Sequence, residues 1–266
     1  MNNRPIGVFD SGIGGLTVVK EIVKTLPGES IVYLGDTARV PYGTRGKEVI
    51  KNFALELTNY LLQSDVKALI VACNTISATC LSAIQSISPV PVLGVISPTV
   101  KDAVAKTNGT KVGVIGTTAT IQSGIYKREI HKISKSLNVI QRACPLLVPL
   151  AEEGVLAHRA TRILIKEYLS GIKKRQVDSL ILGCTHYPLF KKIIQEEIGK
   201  NVKVIDSAQP TAHALKELLE KQNLLCSQNK SSYTFAVTDS SGRTAVIARR
   251  FFGNSFPMRL KKVTLV

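Results

Sequence analysis

The strongest constraint in this chain is a recurring pattern: a short apolar run, a small polar turn, then an amphipathic stretch. The runs are Ile6–Phe9, Ile31–Leu34, Ala68–Ala72, Val92–Val95, Val112–Ile115, Ser179–Leu182 and Val202–Ile205. They are short for helices and rich in β-branched residues, which pack well on a pleated surface. Between them, Leu16, Val19, Ile22, Val23 and Leu26 keep one helical face, as do Ile50, Phe53, Leu57, Tyr60 and Leu61. Ile121, Ile125, Ile130 and Ile133 predict another face, and Phe190, Ile193, Ile194 and Ile198 a further one. Strands alternating with helices predict an α/β fold with mainly parallel sheets covered on their faces. Pro27-Gly28, Pro89–Pro91 and Asn108-Gly109 mark turns.

The pattern also occurs as a duplicate. Ile6-Gly7-Val8-Phe9-Asp10-Ser11 is similar to Val112-Gly113-Val114-Ile115-Gly116-Thr117, and Leu69-Ile70-Val71-Ala72-Cys73-Asn74-Thr75 to Leu180-Ile181-Leu182-Gly183-Cys184-Thr185-His186. Asp10 lies 63 residues before Cys73, and Gly116 lies 68 before Cys184. Two pseudo-symmetric α/β domains follow, each presenting a cysteine at the carboxyl end of a strand, where open α/β sheets place their ligands. An active site in the interdomain cleft would then have one cysteine on each side. Residues 1–98 are expected to form the first domain and 99–210 the second. In the tail, Ala212, Leu215, Leu218 and Leu219 predict a helix, Cys226–Ser232 a polar loop, Tyr233–Val237 a strand and Val263–Val266 another extended piece. Residues 211–266 are expected to return to the first domain, making it discontinuous.

Charge narrows the function classes. The chain has 35 Lys+Arg against 19 Asp+Glu, a formal net charge of +16. Such a surplus favours anionic partners. Here it is spread through pairs and triplets such as Lys173-Lys174-Arg175 and Lys261-Lys262, with no interleaved aromatics and no nucleic-acid motif. A solvated basic surface is expected, and specific nucleic-acid recognition is not. No apolar run approaches the roughly 20 residues that span a bilayer, so no membrane association is expected. The N-terminus runs into a strand-like segment without a signal-peptide core, and five cysteines in 266 residues do not make a disulfide framework. A reducing cytoplasm is the expected location.

Cys73 and Cys184 centre the chemistry. Each ends an apolar strand and precedes a predicted helix, whose N-terminus favours a thiolate. An ordinary thiol titrates near ~8.5, so a modest depression gives a base usable near neutrality. One such cysteine reads most simply as a small buried hydrophobe, as Cys80, Cys144 and Cys226 do. Two in matched contexts of a duplicated fold call for another reading. The pair lacks metal-ligand spacing, so no metal site is expected. A lone nucleophilic cysteine with a histidine would fit acyl transfer. Two opposed thiols fit inversion of a stereocentre, because one removes a proton from one face and the other returns one to the opposite face. The Gly12–Gly15 run lacks dinucleotide-binding spacing. Asp10-Ser11 alone would serve as a helix N-cap, and His131, His158 and His213 are expected on helix surfaces.

Stretches in order across positions 7–188 resemble the glutamate racemases of the aspartate/glutamate racemase superfamily. They are Gly7-Val8-Phe9-Asp10-Ser11-Gly12-Ile13-Gly14-Gly15-Leu16, Tyr33-Leu34-Gly35-Asp36-Thr37-Ala38-Arg39-Val40-Pro41-Tyr42-Gly43, Ala72-Cys73-Asn74-Thr75, Cys144-Pro145-Leu146 with Glu152-Glu153-Gly154, and Gly183-Cys184-Thr185-His186-Tyr187-Pro188. The resemblance implies a cofactor-independent two-base racemase that converts L-glutamate to D-glutamate for peptidoglycan. It implies Cys73 and Cys184 as the catalytic thiols, with Cys73 acting on D-glutamate and Cys184 on L-glutamate. Asp10 is implied beside Cys73. His186 is implied beside Cys184, with Glu153, in preference to Glu152, as its carboxylate. Ser11, Pro41, Tyr42, Gly43, Asn74, Thr75, Thr117 and Thr185, together with Asp10 and His186, are the implied substrate contacts. A homodimer is the implied assembly. An aspartate racemase of the same superfamily is the nearest alternative, and a two-lobed receptor for small anions is the alternative of another class.

Overall fold

The computed structural model describes residues 2–227, 231–253 and 259–265. Among the described residues ten strands form two separate sheets. They are β1 (Ile6–Asp10), β2 (Ile31–Gly35), β3 (Ala68–Val71), β4 (Val92–Gly94), β5 (Lys111–Gly116), β6 (Asn138–Ala143), β7 (Ser179–Gly183), β8 (Lys203–Ile205), β9 (Tyr233–Val237) and β10 (Leu260–Lys262). One sheet has the order β10-β9-β2-β1-β3-β4 and the other β6-β5-β7-β8. All neighbours are parallel. The chain is an α/β protein with helices between successive strands, as the alternating pattern requires.

Register makes the duplication concrete. In the first sheet Ile6 pairs with Ala68 and Phe9 with Val71. In the second, Val112 pairs with Ser179 and Ile115 with Leu182. These are the positions that the sequence repeat aligns, so both sheets deliver their carboxyl ends in the same geometry. The residues of β1, β3, β5 and β7 are almost wholly buried on both faces, which explains their continuous apolar runs. Helices Leu16–Thr25 and Ala208–Lys221 pack side by side in one core, burying Leu16, Val19, Ile22, Leu215 and Leu219. Each such side chain contributes roughly 1.5–3 kcal/mol of burial.

Several elements depart from the sequence expectation. The stripe through Ile121 and Ile133 is two helices, Thr118–Gln122 and Ile125–Ile133, because Gly124 between them has a left-handed φ of 65°. β6 had no apolar run to announce it: it is an edge strand with exposed Asn138 and Arg142. Helices Arg159–Lys174 and Gly242–Phe252 were also unforeseen. The final strand falls at Leu260–Lys262 instead of Val263–Val266, where Val266 lies outside the described residues. Part of the expected 226–232 loop, residues 228–230, also lies outside them. Among the described residues no helix is long and apolar enough to cross a membrane.

Candidate active site

Adjacent strands bring the key residues out side by side. β1 ends at Asp10, and the Ala72 N–H just past β3 donates to the Phe9 carbonyl at 2.9 Å, so Asp10, Ser11 and Cys73 emerge together. In the second sheet Gly116 pairs with Gly183, so Thr117 and Cys184 emerge together. The two sets of strand ends meet at one small, tightly closed cavity. Its walls are Ser11, residues 40–43, 73–75, Thr117, Val148 and residues 184–186. Both thiols therefore face the same small space, each from its own sheet.

Around Cys73 the environment is closed and acidic. Its thiol donates to the Ser11 hydroxyl at 3.3 Å. Asp10 is fully buried and accepts the Gly15 N–H at 2.8 Å through Oδ2. Its other oxygen, Oδ1, makes no hydrogen bond of good geometry among the described residues. Burial pushes the Asp10 carboxyl above the usual carboxylate range, against the opposing charge of His186, the Gly15 N–H and the Cys73 thiol. Burial, followed by the charge of Asp10, pushes the Cys73 thiol well above its usual range, with Ser11 opposing. Cys73 does cap a helix, Asn74–Thr79, but that short helix does not offset desolvation. The expected dipole-lowered thiol is thus corrected for Cys73.

Around Cys184 the partner is a base. His186 Nδ1 lies 3.8 Å from the Cys184 sulfur, and its Nε2 lies 2.5 Å from Oε1 of Glu152. Burial disfavours the charged ring, yet the hydrogen bonds to Cys184 and Glu152 outweigh it and push His186 up to about 10. No long helix follows Cys184 directly; a turn leads into the 3₁₀ helix Tyr187–Phe190. Gly14 makes room for this group, since a Cβ there would lie 2.5 Å from Thr185 Oγ1 and 3.0 Å from His186 Nδ1.

The carboxylate that meets His186 belongs to Glu152, which corrects the expectation for Glu153. Glu152 closes helix Leu147–Glu152 and turns toward the cavity side. One residue on, a step of about 100° around the helix, Glu153 is exposed; it shares with Glu152 a hollow beside Thr37 and Asp239, outside the cavity of the two thiols.

Contacts across the cleft join the halves. Thr75 and Thr117 hydroxyls are 2.9 Å apart, and Thr120 completes a triangle at 2.9 and 3.4 Å. Tyr126 donates to Asn74 Oδ1 at 2.6 Å, and Asn74 Nδ2 donates to Ser207 at 3.3 Å. The loop carrying Pro41, Tyr42 and Gly43 is pinned by buried Asp36, which accepts from the Tyr42 hydroxyl, from Arg39 Nε at 2.5 Å and from Thr238 at 2.7 Å. Among the expected residues, all but Asp10 and Glu153 line the cavity, with Asp10 directly behind Cys73. Val40 and Val148 are additional walls, apolar residues with no chemical signature to flag them. Thr120 and Tyr126 act one contact further out. Among the described residues no cluster of three or more His, Cys, Asp or Glu is arranged to hold a metal.

A duplicated parallel α/β scaffold with paired thiols at its strand ends defines a class, and comparison with known proteins agrees. Residues 6–215 match the Asp/Glu/Hydantoin racemase family, and the chain belongs to that family. Within it, a glutamate racemase from Syntrophus aciditrophicus is 47% identical over 255 residues, covering 96% of this chain and 94% of that protein. One from Geobacter metallireducens is 46% identical over 251 residues, covering 94% and 93%. Among solved structures, a glutamate racemase isoform from Bacillus anthracis aligns with a TM-score of 0.95 at 39% identity, covering 100% of this chain and 99% of that one. A glutamate racemase from Francisella tularensis, solved with D-glutamate, aligns at 0.93 and 40% identity with the same coverage.

Proposed function

We propose that this chain interconverts L- and D-glutamate by two-base proton transfer, with Cys73 and Cys184 as the bases. The observation that carries the reading is the single cavity onto which both thiols open from separate sheets. Glutamate racemases related over more than nine-tenths of the chain support the substrate. Residues 1–98 and 211–266 are assigned to the domain that carries Cys73, and 99–210 to the domain that carries Cys184.

The cavity must lower the cost of removing a weakly acidic Cα proton. Hydroxyls of Ser11, Thr75, Thr117 and Thr185 and the amide of Asn74 supply donors for the two carboxylates of glutamate. Fixed donors in a closed site stabilise the developing carbanion more than water would. Cys73, held as a thiol by burial and by Asp10, is set to deliver a proton when the carbanion forms from L-glutamate. Cys184 takes the proton from the other face, and the His186–Glu152 pair orients it and relays the charge. The reverse reaction exchanges the roles. Asp10 and Ser11 then serve the Cys73 side as His186 and Glu152 serve the Cys184 side.

The product suits peptidoglycan synthesis, with the cytoplasm as the location and a homodimer as the assembly. Circular dichroism of purified protein with L- and then D-glutamate, with no cofactor added, tests the reading. Loss of optical activity with both enantiomers is expected, and aspartate should turn over far more slowly. Rapid turnover of aspartate alone would move the chain to the other racemase branch, and binding without turnover to the receptor class.

A further inference from the structure

The C-terminal helix Gly242–Phe252 turns one edge toward the His186–Glu152 pair. Ile247, Arg250 and Phe251 share that edge, being three and four residues apart. Phe251 is buried, and its ring stands at 90° to the His186 imidazole with centroids 5.4 Å apart. Arg250 covers the turn after Glu152: a Cβ on Gly154 would lie 1.7 Å from Arg250 Nη1, and Gly154 has a left-handed φ of 68°. Ile247 borders the hollow that Glu152 and Glu153 also line. One helix thus touches both the ring that meets Cys184 and the turn that presents its carboxylate. No residue of this helix lines the cavity, and the helix lies beyond the 6–215 stretch that matches the family.

Both ring nitrogens of His186 are committed, Nδ1 toward Cys184 and Nε2 to Glu152. A rotation of the ring about its bond to Cβ would lose both contacts together. An edge-to-face aromatic neighbour opposes that rotation, because the ring edge fits only one face. We infer that Phe251 is a positioning residue that holds His186 between Cys184 and Glu152, with Arg250 steadying the Glu152 turn from the same helix. The inference rests on the two-base reading above and adds an element to the Cys184 side alone.

Its test uses the full-length protein carrying Phe251→Leu, which keeps an apolar side chain but removes the ring, beside Phe251→Tyr, which keeps the ring. Rates and primary isotope effects are measured from Cα-deuterated L- and D-glutamate, with thermal unfolding as a control. Both directions cross the same two transition states. Raising the one at Cys184 therefore makes deuteron removal more limiting for the enantiomer Cys184 deprotonates, and less limiting for the one Cys73 deprotonates. Phe251→Leu should lower kcat about tenfold with KM little changed, the size expected when the partner orienting a functional histidine is lost. Its isotope effect should rise for one enantiomer and fall for the other, and Phe251→Tyr should restore most of the rate. A ring that only fills the core would shift the unfolding midpoint and leave the two isotope effects in their wild-type ratio, and that outcome overturns the inference. Should Phe251→Leu not fold, the exposed Arg250→Met variant must show the same opposed shift at smaller size, and an unchanged ratio there is equally fatal. A wild-type protein that racemises neither enantiomer removes the two-base reading itself. A racemising wild type with unsplit isotope effects in the variants removes only the role of the helix.

Discussion

Cys73 and Cys184 leave strands with the same pairing register, yet they meet opposite chemistry. Beside Cys73, strand β1 ends in the carboxylate of Asp10; at the equivalent end of β5 stands Gly116. Two residues after Cys184 comes His186, and the equivalent position after Cys73 is Thr75. The duplicated scaffold supplies two matching thiol positions, and one substitution on each side makes their surroundings differ. The pseudo-symmetry sets where the sulfurs are, while their neighbours set how each gains and loses its proton. On the proposed two-base mechanism this difference serves racemisation, because the two thiols would occupy different protonation states while facing the same carbon.

The largest effect should come from breaking either side outright. Cys73→Ala and Cys184→Ala are each expected to lower racemisation by about 10³-fold or more, the upper range for removing a positioned acid or base, with circular dichroism in the far ultraviolet unchanged. Either variant retaining substantial turnover would dissolve the pairing.

Next come the assisting groups, at about 10- to 10²-fold in kcat for Asp10→Asn and for Glu152→Gln. These two should separate in stability. Asp10 is a carboxylate held above its usual range by burial, so stability falls as pH rises through the ordinary carboxylate range and the cost is complete above its folded value. Asp10→Asn is therefore expected to raise the unfolding midpoint at pH 7 while lowering activity.

His186 offers a pH window. Its folded value, about 10, lies above the ordinary 6.5, so its stabilisation is complete below about pH 6.5 and is lost as pH rises through about 10. Between those limits the wild-type midpoint should fall more steeply than that of His186→Asn in parallel thermal melts; parallel slopes would contradict the buried ion pair. The smallest effect belongs to Glu153→Gln, expected to stay within about twofold of wild type in steady-state kinetics, as an exposed substitution does. A loss there equal to that of Glu152→Gln would restore the expectation drawn from the sequence.

Legibility followed locality. The strands at Ile6, Val112, Leu69 and Leu180 were readable because full burial requires continuous β-branched runs, and their small polar ends exposed the duplication. The cavity residues between Ser11 and His186, Val40 and Val148 excepted, were readable because they occupy those ends or belong to the stretches that resemble the racemases. β6 escaped because an edge strand tolerates Asn138, Gln141 and Arg142. Glu152 against Glu153 was a matter of one helical step at a helix end, which no pattern in the chain resolves. Phe251 reaches His186 from 65 positions further along the chain through tertiary packing alone, and an apolar residue in a C-terminal helix carries no local mark of its neighbour. The depressed thiol expected for Cys73 failed for a related reason: desolvation depends on what the whole fold places around the sulfur.

The origin of the hydrogen delivered to Cα tests the central claim most directly. L-glutamate is incubated with the wild-type protein in deuterium oxide, and both enantiomers are separated and weighed by mass spectrometry during the first few per cent of conversion. The account predicts that the D-glutamate formed is deuterated at Cα while the remaining L-glutamate keeps its hydrogen, because each face is served by its own sulfur. D-glutamate carrying the original hydrogen, or L-glutamate exchanging faster than it racemises, would assign both transfers to one base and contradict it.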